Sequence, residues 1–236
     1  MEAGAKKKIQ LVLYAAIAIA ALRTGYILYQ RHVENTEAKK EAPPLKADYY
    51  VTPKKLYPYD LKSAQQLTQQ PVWVREGYRF VYFPYDPARG RSDFAHETGT
   101  LGPIERLEIK DVTTDITPGV PDQRQVIAVF QKDGRTYSFP IGSLADGNYK
   151  IYSDDMLYIQ DPHQLYSHWP PDVWDAISKH EVKPGMNQLQ ALFALGAGAP
   201  DDPHDANNRT VTYPNGGKPV SVTFRDDKAT EVKTGS

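Results

Sequence analysis

Apolar residues run almost unbroken from Ile9 to Leu22 and resume from Tyr26 to Tyr29, directly after Lys6, Lys7 and Lys8. A stretch of about 20 apolar residues is what a helix rising ~1.5 Å per residue needs to cross a hydrocarbon core of ~30 Å. The pattern predicts a transmembrane helix over 9–29 behind a cytoplasmic tail of 1–8. Arg23 interrupts the run near one end, where its long side chain can snorkel to the interface beside Tyr26 and Tyr29. A cleaved secretory signal is the competing reading. Its small-x-small candidates, Ala16-Ile-Ala18 and Ala18-Ile-Ala20, lie inside the apolar core, where cleavage is not expected.

From Gln30 to Lys55 the chain turns charged and proline-bearing, with Glu-Ala-Lys-Lys-Glu-Ala-Pro-Pro at 37–44, and reads as a tether. Asp60 to Pro71 predicts a short helix that Asp60 or Ser63 caps and Pro71 stops. Strand patterns follow. Val72 to Phe83 is aromatic and β-branched, with Gly77 as a turn or bulge, and Ile104 to Lys110 partly alternates. Gln125 to Gln131 and Arg135 to Ile141 flank Lys132-Asp-Gly134, a hairpin signal, and Tyr149–Tyr152 and Met156–Ile159 close the series. With so little helix between them, these strands predict a small antiparallel barrel or sandwich over 56–168, not a parallel nucleotide-binding sheet.

The pattern changes again over 169–236. Asp172 is expected to cap a helix carrying Val173, Trp174, Ile177 and His180, with Lys183-Pro-Gly185 ending it. Asn187 is expected to cap a second helix, with Leu189, Leu192, Phe193 and Leu195 at helical spacing before Gly196. Strands at Thr210–Tyr213, Pro219–Phe224 and Ala229–Lys233 complete an ααβββ unit, the first two joined through Pro214-Asn-Gly-Gly217. The fold class is α+β: an N-terminal transmembrane helix, a small antiparallel β barrel or sandwich, and a C-terminal ααβββ domain.

In this last quarter, Val182-Lys-Pro-Gly-Met-Asn187, Leu189-Gln-Ala-Leu192, Leu195-Gly196 with Pro200 after it, Tyr213 and the strand Val220 to Phe224 resemble the SmpA/OmlA family of bacterial envelope domains. That family includes the accessory lipoprotein of the outer-membrane assembly machine. The resemblance implies a non-catalytic domain that contacts other proteins. The chain departs from the family pattern in lacking a lipobox cysteine and in the lengthened stop Leu-Gly-Ala-Gly-Ala-Pro.

Composition narrows the function. The net charge of -1 and the absence of a basic stripe after residue 30 argue against a nucleic-acid grip. With no cysteine, the chain forms no disulfide and no cysteine-linked lipid anchor. The triple lysine favours a cytoplasmic N-terminus, although Arg31, Lys39, Lys40 and Lys46 follow on the far side. The lysine pairs 39–40 and 54–55 read as solvated tether charge.

Candidate chemistry is sparse. Asp161-Pro-His163 with His168, alongside Asp201-Asp-Pro-His204-Asp205, could hold zinc only if the loops converge. Asp154-Asp155 and Asp201-Asp202 are the available carboxylate pairs, but adjacent residues rarely face each other across a cleft as glycoside hydrolysis requires. No Gly-x-Ser-x-Gly elbow or Cys nucleophile occurs, and Gly196-Ala-Gly198 follows a helix, the wrong place for a phosphate cradle. Tyrosines at 49–50, 57–59 and 78–85 fit either core packing or exposed contacts. No catalytic, cofactor-binding or metal residue is assigned, and no cofactor is expected. The expected role is a single-pass, membrane-anchored bacterial inner-membrane protein with its domains outside the cytoplasm, binding an envelope protein partner without catalysis. The alternative is a membrane-bound metal-dependent hydrolase or binding module for cell-wall glycan.

Overall fold

The computed structural model describes Tyr14, residues 17–32 and residues 46–235. Residues 17–32 form a helix, α1, whose every residue is exposed, Leu22 at 75% and Ile19 at 66% among them. Residues 9–13 and 15–16 of the expected span lie outside the described residues, and among those described no helix is long and apolar enough to cross a membrane. Residues 33–45 of the tether are likewise outside. Ala47–Tyr50 is a 3-10 turn.

A separate compact unit begins at Val51. Residues 51–55, counted above with the tether, lie within it: Lys54 N donates to Gln160 Oε1 at 2.7 Å and Lys55 Nζ to Asp155 Oδ1 at 2.8 Å. Helix α2 (Leu61–Ala64), continued by a 3-10 turn, starts with a reciprocal cap. Asp60 Oδ1 accepts from Ser63 N at 2.7 Å while Ser63 Oγ accepts from Asp60 N at 3.0 Å, so both residues serve.

Six strands precede the main hairpin: β1 (Val72–Val74), β2 (Phe80–Asp86), β3 (Arg91–Ser92), β4 (Gly99–Leu101), β5 (Arg106–Leu107) and β6 (Ile109–Thr117). Gly77, at φ 81°, turns the chain between β1 and β2. Then come β7 (Val120–Lys132), β8 (Arg135–Ala145) and β9 (Asn148–Ile151). Asp133 and Gly134, at φ 50° and 75°, make the tight β7–β8 turn whose twist suits the strands it joins. A seven-stranded sheet has the order β3-β2-β8-β7-β6, with β4 on β2 and β9 on β8, all antiparallel. Because β5 leads into β6 and pairs with β1, which leads into β2, the sheet bends back on itself as a nearly closed barrel.

Both faces of this barrel wall are covered. Val112, Ala128, Phe130, Tyr137 and Phe139 face the barrel core. By the pleat, Asp115, Ile127, Val129 and Ser138 belong to the opposite face, yet each is 3% exposed or less. The segment after β2 folds over them: Phe94 packs edge-on against Phe83 at 5.1 Å, and Ser92 Oγ lies 2.7 Å from Ser138 Oγ. Asp115 fastens this flap, its carboxylate accepting from Ser92 N at 2.6 Å and Ile116 N at 2.7 Å.

Gly142 shows how tightly β8 and β9 approach. A Cβ there would stand 2.3 Å from Lys150 O, so Gly142→Ala is expected to force the strands apart at a cost of about 2 kcal/mol. A thermal-melting series checks this, and an unchanged midpoint would show that the contact relaxes freely.

Short helices α3 (Ser153–Met156) and α4 (Pro162–Leu165) bracket β10 (Leu157–Tyr158). Helix α5 (Pro171–Ser178) corrects one expectation: it begins at Pro171 with Pro170 as N-cap, and Asp172 sits in the first turn. Proline suits the first helical position because its missing N–H has no intrahelical partner there anyway. The helix stops at Ser178, so His180 lies beyond it at φ 56°. Helix α6 (Gln188–Leu195) is capped by Asn187, whose side chain accepts from Gln190 N at 2.8 Å while Gln190 Oε1 accepts from Asn187 N at 2.9 Å. An antiparallel sheet follows in the order β11 (Ala199–Pro200), β12 (Thr210–Tyr213), β13 (Val220–Arg225), β14 (Lys228–Thr234). Val211, Tyr213, Val220, Val222 and Phe224 are buried in one core with α5 and α6.

The three-stranded sheet β10-β1-β5 divides the two cores. Val72, Val74 and Leu157 point to the barrel core, while Trp73 and its partner Tyr158 point to the helical one. Alternation across a sheet buried on both faces explains why Val72-Trp-Val74 is apolar throughout.

Candidate functional site

A cleft of about 470 Å3 opens where the β4–β5 connection meets the ends of α4 and α5 and the β12–β13 turn. Its lining draws on four distant stretches: Arg79, residues of the segment 100–105, the helical residues His163, Trp174, Ile177 and Ser178 with His180 just beyond them, and Asn215 with Gly216.

One wall is aromatic. His163 stacks on Trp174 with centroids 4.1 Å apart and planes 28° apart, and Trp174 rests on Trp169 at 5.2 Å. Asp161 fixes the imidazole: its Oδ1 lies 3.0 Å from His163 Nδ1 while accepting from His163 N at 2.9 Å as the cap of α4. A carboxylate can only accept, so Nδ1 carries the proton and Nε2 is the ring's open position. His180 is oriented likewise, with Nδ1 3.1 Å from Ala194 O. Its left-handed backbone turns the imidazole back towards α6 from just beyond α5.

The polar side carries one cation, Arg79, and one acid, Glu105. Arg79 donates from Nη2 to Leu195 O at 3.1 Å, at the C-terminus of α6, where a cation is favoured by the helix dipole. Among the described residues no carboxylate forms a salt bridge with Arg79, which has further guanidinium donors. The acid of the lining, Glu105, is already engaged by Lys132 Nζ at 2.6 Å and Gly102 N at 3.1 Å.

Of the residues singled out from sequence, Asp161 and His163 meet at this cleft or beside it. His168 lies instead near Tyr166 and Trp169, at 6.2 and 6.1 Å between rings. Asp201, Asp202 and Asp205 spend their oxygens on backbone N–H groups of their own loop, His204 N among them. Those hydrogen bonds hold the Asp201 and Asp205 carboxyls below the usual carboxylate range. No group of three His, Asp or Glu residues among those described could hold a metal ion, so the loops do not converge. Asp154 and Asp155 flank Lys55 at 3.8 and 2.8 Å, an arrangement for an ion pair rather than for paired catalysis. Gly196 ends α6 at φ 80°, and Gly198 lies where a Cβ would strike Val211 and Tyr213. The tyrosines divide: Tyr82 packs edge-on against Phe130 and Tyr137 in the barrel core, whereas Tyr57 and Tyr59 are exposed.

Arg79, Glu105 and Asn215 carry no sequence signal for a site. Trp174 and His180 read only as helix positions, and the fold alone assembles them. Ser178 stands in the lining, but its hydroxyl donates to Asp175 O at 2.8 Å, as a helix-end serine does. No protein-family model, curated protein or solved structure matches this chain.

Proposed function

We propose that this chain is a single-pass, membrane-anchored protein of the bacterial envelope whose folded part, from Val51 onward, has a non-catalytic interaction role. The observation that carries the proposal is α1. Ile17, Ile19, Leu22, Ile27 and Leu28 are all exposed on it, and a helix that shows apolar side chains on every side needs an apolar surrounding. Lys6 to Lys8 ahead of it favour a cytoplasmic N-terminus. Apart from the added two-residue strand β11 between α6 and β12, the order α5, α6, β12, β13, β14 follows the one that the SmpA/OmlA resemblance implies, which supports an interaction role. The hydrolase alternative draws little support from the Asp and His loops, since only Asp161 and His163 meet and no third His, Asp or Glu among the described residues joins them as a metal site.

Alkaline carbonate extraction and protease treatment of spheroplasts test the anchor and its orientation together. The expected result is a chain that stays with the membrane pellet and whose folded part is cut in intact spheroplasts. Release into the supernatant removes the anchor, and cleavage only after permeabilisation reverses the orientation. Crosslinking on membranes is expected to trap a specific protein partner, and its absence counts against the interaction role.

A further inference from the structure

We infer that the cleft lined by Arg79 and Trp174 is a binding site for a small organic monoanion, a carboxylate carried on a flat, apolar body. A volume of about 470 Å3 lies in the range of small-molecule pockets. The charge balance selects an anion. Arg79 faces the cleft without a salt-bridged carboxylate among the described residues, while the Glu105 charge is met by Lys132 at 2.6 Å. A guanidinium with donors to spare matches a carboxylate's planar geometry. One such cation suits a monoanion, and the lining offers no second one for a polyphosphate.

The aromatic wall selects the body. The Trp174–His163 layer is held from behind by Trp169 and from the side by Asp161, so it is a rigid flat surface before any ligand arrives. Pro103, Ile104 and Ile177 add apolar lining. Rings stack on such a surface with little loss of side-chain freedom. His180, whose Nδ1 proton is committed to Ala194 O, leaves Nε2 to accept from a hydroxyl or N–H on the ligand. The site is independent of where the chain is anchored, so the tests of the two proposals fail separately.

The probe is 2-naphthoate, added to the 15N-labelled full chain in detergent, with the neutral 2-naphthalenemethanol as its uncharged counterpart. Saturable shifts of the Trp174 indole and Arg79 Nε signals are expected, with the alcohol about tenfold weaker. Arg79→Gln is expected to weaken naphthoate about tenfold, while Arg124→Gln, at an exposed arginine in β7, leaves it unchanged. Since Arg79 also caps α6, a second variant guards against misfolding: Ser178→Trp fills the cleft from an exposed position and is expected to abolish the shifts. No saturation at millimolar naphthoate, equal binding of the alcohol, or unchanged affinity in Ser178→Trp overturns the proposal.

Discussion

Asp115→Ala is expected to cost about 3 kcal/mol of folding free energy, and to lower the melting temperature by roughly 6–12 °C. Asp115 is 0% exposed and carries two short backbone hydrogen bonds, from Ser92 N and Ile116 N. A hydrogen bond to a charged group contributes ~1.5 to 3 kcal/mol, and leaving its buried donor unpaired costs about as much as the bond. Alanine removes the acceptor from both amides at once. The flap between β2 and β4 then keeps its backbone ties to β2, through β3 and the Asp93 N–Pro84 O and Thr98 N–Tyr82 O bonds, but its hold on the barrel wall over Ile127 and Val129 falls to the Phe83–Phe94 contact and the Ser92–Ser138 bridge. Asp115→Asn is expected to lose part of the same free energy, because its amide group must face one of two N–H donors. Hydrogen exchange should accelerate most at Ser92 and Ile116. A variant with wild-type melting and wild-type exchange there would show that the flap is held by packing alone.

The second large effect is expected at the boundary between the cores. Tyr158, 1% exposed, donates its hydroxyl to Glu76 Oε2, and Arg75 Nη2 lies 3.3 Å from Glu76 Oε1. The Arg75 guanidinium also sits 5.0 Å over the Tyr158 ring. Both charged side chains are largely buried, at 21% and 14% exposed. Removing one partner of such a pair leaves the other charge without compensation, so Glu76→Ala is expected to cost about 3 to 5 kcal/mol. Arg75 has little reserve, since its Nε already lacks a partner. Tyr158→Phe, which deletes only the hydroxyl and leaves the Arg75–Glu76 pair, should cost less, ~1.5 to 3 kcal/mol.

The same pair gives an alkaline signature. Burial, followed by the Glu76 carboxylate, pushes the Tyr158 phenol far above its ordinary value, and burial raises Tyr213 as well. The folded state therefore keeps protons that the unfolded chain releases above about pH 10. Their contribution is fully present below that pH and falls away as pH rises beyond it. Urea midpoints measured across this range should decline, and less steeply in Tyr158→Phe. Equal slopes in the two proteins would assign the alkaline loss elsewhere.

The legible parts of this fold are those decided within a few residues. Lys132-Asp-Gly134 turned β7 into β8 because Asp and Gly tolerate the positive φ of a tight turn, and Asn187 started α6 because its side chain reaches Gln190 N. Alternation placed Val220, Val222 and Phe224 on one buried face. Asp172 misled because two prolines precede it, and proline at the first helical position moved the start of α5 two residues earlier. The Val72-Trp-Val74 run signalled burial but not the division of its side chains between two cores.

The apolar N-terminal run, the hairpins, the caps and the mixed α and β character are each set by backbone preference or by periodicity over a short stretch, so the residues alone are enough to specify them. The cover on both faces of the barrel wall, the burial of Asp115 as a clasp rather than a solvated strand acid, and the gathering of Arg79 and Trp174 in the lining of one cleft arise only when the chain closes. The residues brought together stand 23 positions apart at the Asp115–Ser92 clasp and 95 apart in the cleft lining, so their meeting depends on the closure of the whole chain rather than on any local pattern.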